Sequence, residues 1–414
     1  MKLGINGVGR IGKLSLWHHV SRKVFQELVV NIGRNAGQGL EDIAGYLERD
    51  STYGSLGRYI YGFRGSRVIE ELNEKTGTMR VNGLPVTILR EHRNPKDIQW
   101  KEKGVSLVLD CTGIFRDPTS PFDSPKGSLR GHLASGASKV ILSAPFKIED
   151  KSKTMPPDAL TNIQGINDEA YLPERHHIIS AASCTTTCLA FMMKVLLEHF
   201  GTEPILSASM VTVHAATGTQ EILDRLPNSG TYDMRKNRSI FNNIILTTTG
   251  AANALSLVLP EIKDIGFAAE SVRIPINTGS IVILTLDLKD ENPDRPIDRD
   301  QINGIYREAA VGRFRTYVTY TDTQNVSSDI IGTASAAVIE GTETRCRTGT
   351  IRVNLSRACR MIPQEEAFIP ERGGTLEIPI TKVVVYGWYD NELGSFTNML
   401  AERTVEIAQE LVER

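Results

Sequence analysis

The sequence predicts an α/β fold: a parallel sheet with crossover helices at the start of the chain, followed by an α+β part built on a mixed or antiparallel sheet. Three observations lead there. Short apolar runs separated by longer polar-apolar segments fill the first 150 residues, the pattern of strands buried on both faces. A glycine-rich turn directly follows the first run. Beyond about residue 205 the strand-like runs lengthen and alternate, as one wetted face requires.

The first part offers strands at 2–6, 28–32, 105–110, 139–144 and 177–182. The second offers them at 207–215, 271–275, 280–288, 350–355 and 377–388. Polar stretches at 115–130, 150–160 and 289–303 read as surface insertions, since each is short. Residues 395–414 carry Leu400, Ile407 and Leu411 among charges, an amphipathic terminal helix.

The 414 residues suit two domains better than one. Lys and Arg number 47 against 49 Asp and Glu, a net charge of -2, which gives no electrostatic case for a nucleic-acid or membrane-surface partner. No apolar stretch approaches the length of a membrane helix, so a soluble cytoplasmic protein is expected. The cysteines at 111, 184, 188, 346 and 359 are odd in number, which argues against a disulfide framework. Cys184 and Cys188 lack a zinc-site spacing, and no metal is expected.

The run from Lys2 to Asn6 leads into Gly7, Val8, Gly9, Arg10, Ile11 and Gly12, then a helical stretch. The first glycine permits a tight turn, the second lets backbone approach a pyrophosphate, and the third allows close helix-to-strand contact. Amides at the helix start face the phosphate charge. An NAD site usually carries an acid at the end of the second strand, but this chain reads Asn31, Ile32, Gly33 and Arg34 there. The repulsion against a 2′-phosphate is missing, and Arg34 can offer a bidentate cation, which favours NADP or dual use. The plainer reading of Arg34 is an exposed loop arginine.

Further on, Ser183 and Cys184 sit between an apolar strand and a helical pattern. A thiol at a helix N-terminus is expected to have a lowered pKa, with unpaired amides ready for an anion. Cys184 therefore reads as a nucleophile, and Cys188, one turn deeper, as structural. His214 at a strand end can hold the cysteine as a thiolate and shuttle its proton, although eight histidines make the choice weak on chemistry alone. Thr185, Thr217, Thr249, Gly250 and Arg273 supply the hydroxyl, amide and guanidinium mixture that a phosphorylated substrate needs. Arg235, Lys236 and Arg238 form another basic cluster, which otherwise is a solvated face.

Taken together, the segments 6–12, 50–54, 111–115, 143–145, 183–186, 214–217, 248–252 and 388–392 resemble the phosphorylating glyceraldehyde-3-phosphate dehydrogenases, in family order along nearly the whole chain. The resemblance implies a Rossmann-type domain over 1–183, a catalytic domain over 184–394, a C-terminal helix (395–414) packing back on the first domain, and a homotetramer. It implies oxidative phosphorylation of glyceraldehyde-3-phosphate to 1,3-bisphosphoglycerate with reduction of NAD or NADP, through a hemithioacetal and a thioester on Cys184, with His214 as base. It assigns Thr217 and Arg273 to the substrate phosphate and Ser183, Thr185, Thr249 and Gly250 to inorganic phosphate. A family arginine aligns on Lys236, beside Arg235. Asn6, Gly7, Gly9, Arg10, Ile11, Gly12, Arg34, Thr112, Gly113, Ser143 and Asn391 fall around the cofactor.

Three departures stand out. Ile32 replaces the ribose-binding acid, while Ser395 and Gly218 stand where a tyrosine and an asparagine are usual. The chain is also longer than a usual member, with the excess in 55–85, 115–130, 150–160 and 330–380. Two other readings remain: an erythrose-4-phosphate dehydrogenase, in which water resolves the thioester, and a nucleotide-sensing protein without turnover. The second would need neither Cys184 nor His214.

Overall fold

The computed structural model describes residues 1–290, 295–358 and 374–413. Cys359, and part of the expected inserts at 289–303 and 330–380, lie outside them. A nine-stranded sheet runs, in spatial order, Ala159–Thr161, Ile178–Ser180, Lys139–Leu142, Val105–Asp110, Lys2–Asn6, Glu27–Asn31, Leu84–Leu89, Thr78–Val81 and Ile69–Asn73. Neighbours are parallel from the first of these through Leu84–Leu89, and the last two strands add an antiparallel edge.

Apolar side chains cover both faces of the parallel part, which is why its strands read as continuous runs. Leu3, Ile5, Leu28, Val30 and Leu107 pack on one side with Leu14 and Trp17 of helix Arg10–Arg22. Val29, Val108 and Val140 pack on the other with Trp100 and Leu129. The first strand lies between the second and Val105–Asp110, so the strand order reverses there and opens a crevice at the carboxyl ends.

The second sheet runs Ile245–Thr247, Gly266–Ile274, Ile205–Ala215, Ser280–Lys289, Thr375–Tyr389, Ala337–Glu340 and Val318–Thr321, with Arg345–Asn354 paired on Thr375–Tyr389. It is mixed: Ile205–Ala215 pairs in parallel with Gly266–Ile274 and antiparallel with Ser280–Lys289. Burial alternates strictly along Ser280–Lys289. The buried positions, among them Val282 and Leu284, meet Leu189, Met192, Met193 and Leu196 of helix Cys184–Phe200. The C-terminal helix Phe396–Val412 returns to the first sheet, where Phe396, Leu400 and Ile407 join its core.

Several elements differ from expectation. The strand expected at 271–275 is Gly266–Ile274, because its first half alternates between exposed and half-buried positions and lacks a strong apolar signal. Helix Arg299–Val311 occupies part of the expected insert at 289–303; the Asp298 side chain caps it by accepting from the Gln301 amide. Within 55–85 the excess chain forms a helix and the antiparallel edge of the first sheet.

Candidate active site and nucleotide cleft

Backbone geometry sets the nucleotide turn. Gly7 has φ +89°, a conformation other residues rarely adopt, and a Cβ at Gly12 would collide with the Gly7 carbonyl oxygen. Open space lies over Gly9, where a phosphate can approach. A cavity of about 500 Å³ extends from this turn, lined by Asn6, Gly7, Ile32, Arg34 and Thr112 among others. A second, of about 460 Å³, shares Ile32 and Arg34 and includes Gly9 and Tyr46. Glycine turn, helix amides and cavity together fit a dinucleotide, with Arg34 on the wall beside Ile32.

Several residues expected near the cofactor are also bonded within the framework. The Asn6 side chain is buried, donating to Asp110 at 2.8 Å and accepting from Asn31 at 2.8 Å. Asp110 also accepts from the Thr112 amide and hydroxyl at 3.0 and 2.7 Å. Gly113 has φ +66° with open space around it. The Ser143 amide donates to the Asp110 carbonyl at 3.0 Å. Ile11 packs partly buried against the first core.

Arg10 leaves the glycine turn and crosses to the second sheet, where it pairs with Glu392. Glu392 also accepts from the Tyr53 hydroxyl at 3.1 Å. Burial pushes its carboxyl up to about 7 against the pull of Arg10. Sequence reasoning missed Tyr53 and Glu392, although both lie inside recognised motifs.

Cys184 opens helix Cys184–Phe200, capped by Ser183, whose hydroxyl oxygen accepts from the Thr186 amide at 3.2 Å. Ala182, just before, is buried with φ +57°, a strained non-glycine conformation at the strand-to-helix corner. The Cys184 residue keeps part of its surface open, whereas Cys188 is fully buried with its sulfur against the Gly387 carbonyl at 3.7 Å. Cys111 is buried too, and its thiol is pushed up to about 12.

Strand pairing brings the remaining groups to this sulfur. His214 and Arg273 are register partners on adjacent parallel strands. His214 Nε2 lies 3.6 Å from Cys184 Sγ. Its Nδ1 sits 2.8 Å from the Ala215 carbonyl, an acceptor that suits a proton on Nδ1 and an Nε2 lone pair toward the sulfur. The Asn391 amide nitrogen reaches the same Nε2 at 3.3 Å. Its Oδ1 accepts from Ser280 at 2.8 Å and Thr278 at 3.2 Å, which orients the amide. The Arg273 guanidinium lies against Nδ1 and donates to the Ala215 carbonyl at 3.1 Å.

The electrostatics depart from the expected ion pair. Burial, helped by Arg273, holds His214 down at about 3. Burial likewise raises the Cys184 thiol, opposed by the Arg273 cation and by the Thr185 amide donating to the sulfur. Desolvation thus outweighs the helix terminus and favours a neutral thiol beside a neutral imidazole.

The expected phosphate groups divide. The Arg273 Nε is buried with no hydrogen-bond partner among the described residues. The Thr217 hydroxyl contacts Gln220 Oε1 at 2.9 Å in a turn leaving the His214 strand. Gly250 precedes helix Ala251–Val258, and the Thr249 hydroxyl oxygen accepts from the Ala251 amide at 3.2 Å. The Thr185 hydroxyl turns inward to Tyr389 at 2.8 Å, and Tyr389 continues to Thr212 at 2.9 Å, a buried chain unseen in the sequence. Arg235 is tied to Asp233 at 2.8 and 3.1 Å on an exposed turn. Among the described residues no hydrogen bond or ion pair joins Arg235 or Lys236 to Cys184 or Arg273. Ser395 holds the Asp390 turn, accepting from the Asp390 amide at 3.0 Å. Gly218 borders open space.

Comparison with known proteins agrees with this geometry. Residues 1–118 match the family model described as glyceraldehyde 3-phosphate dehydrogenase, NAD binding domain, and residues 183–356 match the C-terminal domain model of the same family. Glyceraldehyde-3-phosphate dehydrogenase 2 of Streptomyces avermitilis is 34% identical, with 99% of each chain covered. Glyceraldehyde-3-phosphate dehydrogenase of Streptomyces coelicolor is 35% identical with the same coverage. The Borreliella burgdorferi one is 34% identical over 100% of both chains. On this evidence the chain belongs to the glyceraldehyde-3-phosphate dehydrogenase family.

Proposed function

We propose that this chain oxidises glyceraldehyde-3-phosphate to 1,3-bisphosphoglycerate with reduction of NAD or NADP, using Cys184 as nucleophile and His214 as base. The carrying observation is the 3.6 Å approach of Cys184 Sγ to His214 Nε2, with Nδ1 on the Ala215 carbonyl. As sulfur attacks the aldehyde carbon, the thiol proton passes to Nε2 and then to the new oxygen, giving a hemithioacetal. His214 removes that hydroxyl proton as the carbon is oxidised to a thioester. NAD(P), when bound in the glycine-turn cleft, supplies the acceptor for the hydride lost from this carbon. An inorganic phosphate oxygen then attacks the thioester, the carbon–sulfur bond breaks, and Cys184 regains its proton.

Arg273 and Thr217 are assigned to the substrate phosphate, and Ser183, Thr249 and Gly250 to inorganic phosphate. The Thr185 contribution runs through its amide, since its hydroxyl is engaged by Tyr389. Arg235 and Lys236 are assigned a phosphate role only if their loop rearranges. Use of NADP is supported by Ile32 in place of an acid and by Arg34 on the cavity wall. The division at residues 183 and 184 is supported by Cys184 opening the first helix of the second core.

A homotetramer is supported by exposed apolar side chains on 222–246, including Leu223, Leu226, Tyr232, Phe241 and Ile244, a patch that a soluble monomer rarely shows. A cytoplasmic setting is part of this reading; Cys111, Cys184, Cys188 and Cys346 form no disulfide among the described residues. No helix among the described residues is long and apolar enough to cross a membrane. Product analysis with glyceraldehyde-3-phosphate and erythrose-4-phosphate, with and without inorganic phosphate, tests the reading. Acyl phosphate from the triose in the presence of phosphate is expected. Phosphate-independent formation of the free acid at full rate would replace it with the erythrose-type chemistry.

A further inference from the structure

We infer that Lys126 is a specificity-determining residue that, with Arg34 and Arg93, receives the 2′-phosphate of NADP. The inference rests on the NADP reading above and names the groups that carry it. Three cations from separate segments line the 500 Å³ cavity: Arg34 beyond the second strand, Arg93 beyond Leu84–Leu89, and Lys126 from the extra chain after Phe115. Among the described residues no carboxylate lines this cavity. None of the three cations belongs to a salt bridge among the described residues. The adjoining cavity, which Arg34 also lines, includes Asp42, whose carboxylate already accepts from the Gln38 amide at 2.7 Å.

The cations are held by backbone and not by chance. Arg93 Nε donates to the Gly33 carbonyl at 3.3 Å, which ties it beside Arg34. Lys126 sits in a turn closed by the Gly127 amide donating to the Ser124 carbonyl at 2.9 Å. The Asn94 side chain anchors the same carbonyl at 3.2 Å. Gly127, at φ +84°, packs so closely on Phe115 and Pro95 that no side chain fits. Like charges gathered without a counter-ion repel one another, and a phosphate dianion relieves that repulsion while accepting charge-assisted hydrogen bonds. The pyrophosphate end of the cleft has its own donors in the glycine turn, so these cations are left for the ribose beside Ile32.

Calorimetric binding of 2′-phospho-ADP-ribose and of ADP-ribose to the intact protein, with Lys126→Met and Lys126→Arg, separates the possibilities. Lys126→Met should weaken the 2′-phosphorylated ligand about tenfold and change ADP-ribose less than about twofold, the size of a charge-assisted bond at a half-open site. Lys126→Arg should restore most of the loss. Equal weakening of both ligands, or of neither, in a protein whose wild type binds both would overturn the Lys126 assignment alone. A wild type that binds ADP-ribose but not its 2′-phosphate would overturn the NADP reading, and this inference with it.

Discussion

Replacing Arg273 with Leu separates the two roles proposed for its guanidinium. Its Nε is buried with no partner among the described residues and Nη1 is held by the Ala215 carbonyl, which leaves Nη2 for the proposed contact with a phosphate. A charge-assisted bond contributes about 1.5–3 kcal/mol. For a half-buried group, solvent screening leaves about 2–3 kcal/mol for the whole contact, or roughly 30- to 150-fold in kcat/KM for a phosphorylated aldehyde. Unphosphorylated glyceraldehyde lacks that contact and should lose far less. Removing the cation also makes the Cys184 thiolate less favourable and the His214 imidazolium more favourable. Iodoacetamide should then alkylate Cys184 more slowly at neutral pH, and the alkylation midpoint should move to higher pH. Equal loss with both aldehydes, or faster alkylation, would refute this account of Arg273.

Two further outcomes follow from the nucleotide end. Gly12→Ala places a methyl group on the Gly7 carbonyl oxygen, so ADP-ribose binding measured by calorimetry should fall by at least about tenfold, while the Cys184 alkylation rate should stay near wild type. His18 is buried, with Nε2 on the Leu393 carbonyl at 2.7 Å, and burial lowers it from 6.5 to about 4. The folded state thus holds fewer protons than the unfolded chain between these values. Its share of stability is complete above pH 6.5 and is lost as pH falls toward 4, amounting to about 3 kcal/mol. Urea midpoints from pH 7 to 4 should drop accordingly, and less so in a His18→Gln variant.

The sequence displayed what local chemistry determines. The glycine turn, the Ser183 cap with Cys184 behind it, and the alternation along Ser280–Lys289 each follow from residue type and spacing within one element. The placement of His214 beside Arg273 was only half legible: both were visible on strands, but their shared register depends on which strands pair. The Thr185 to Tyr389 bond joins residues 204 positions apart, and no local pattern announces it. The thiol's electrostatics were misjudged for a related reason, since a helix terminus is a local feature while desolvation is imposed by the surrounding packing. Lys126 escaped notice because an insertion read as surface chain gives no sign of the cavity it faces.

The most direct test is to trap the covalent intermediate. The protein is mixed with glyceraldehyde-3-phosphate and oxidised dinucleotide in phosphate-free buffer, quenched in acid, and the peptides are analysed by mass spectrometry. A 3-phosphoglyceryl thioester on Cys184, accompanied by one equivalent of reduced dinucleotide per site and discharged on adding inorganic phosphate, is the expected result. Dinucleotide reduction with Cys184 unmodified, or an acyl group found on Cys188 or Cys111, would contradict it.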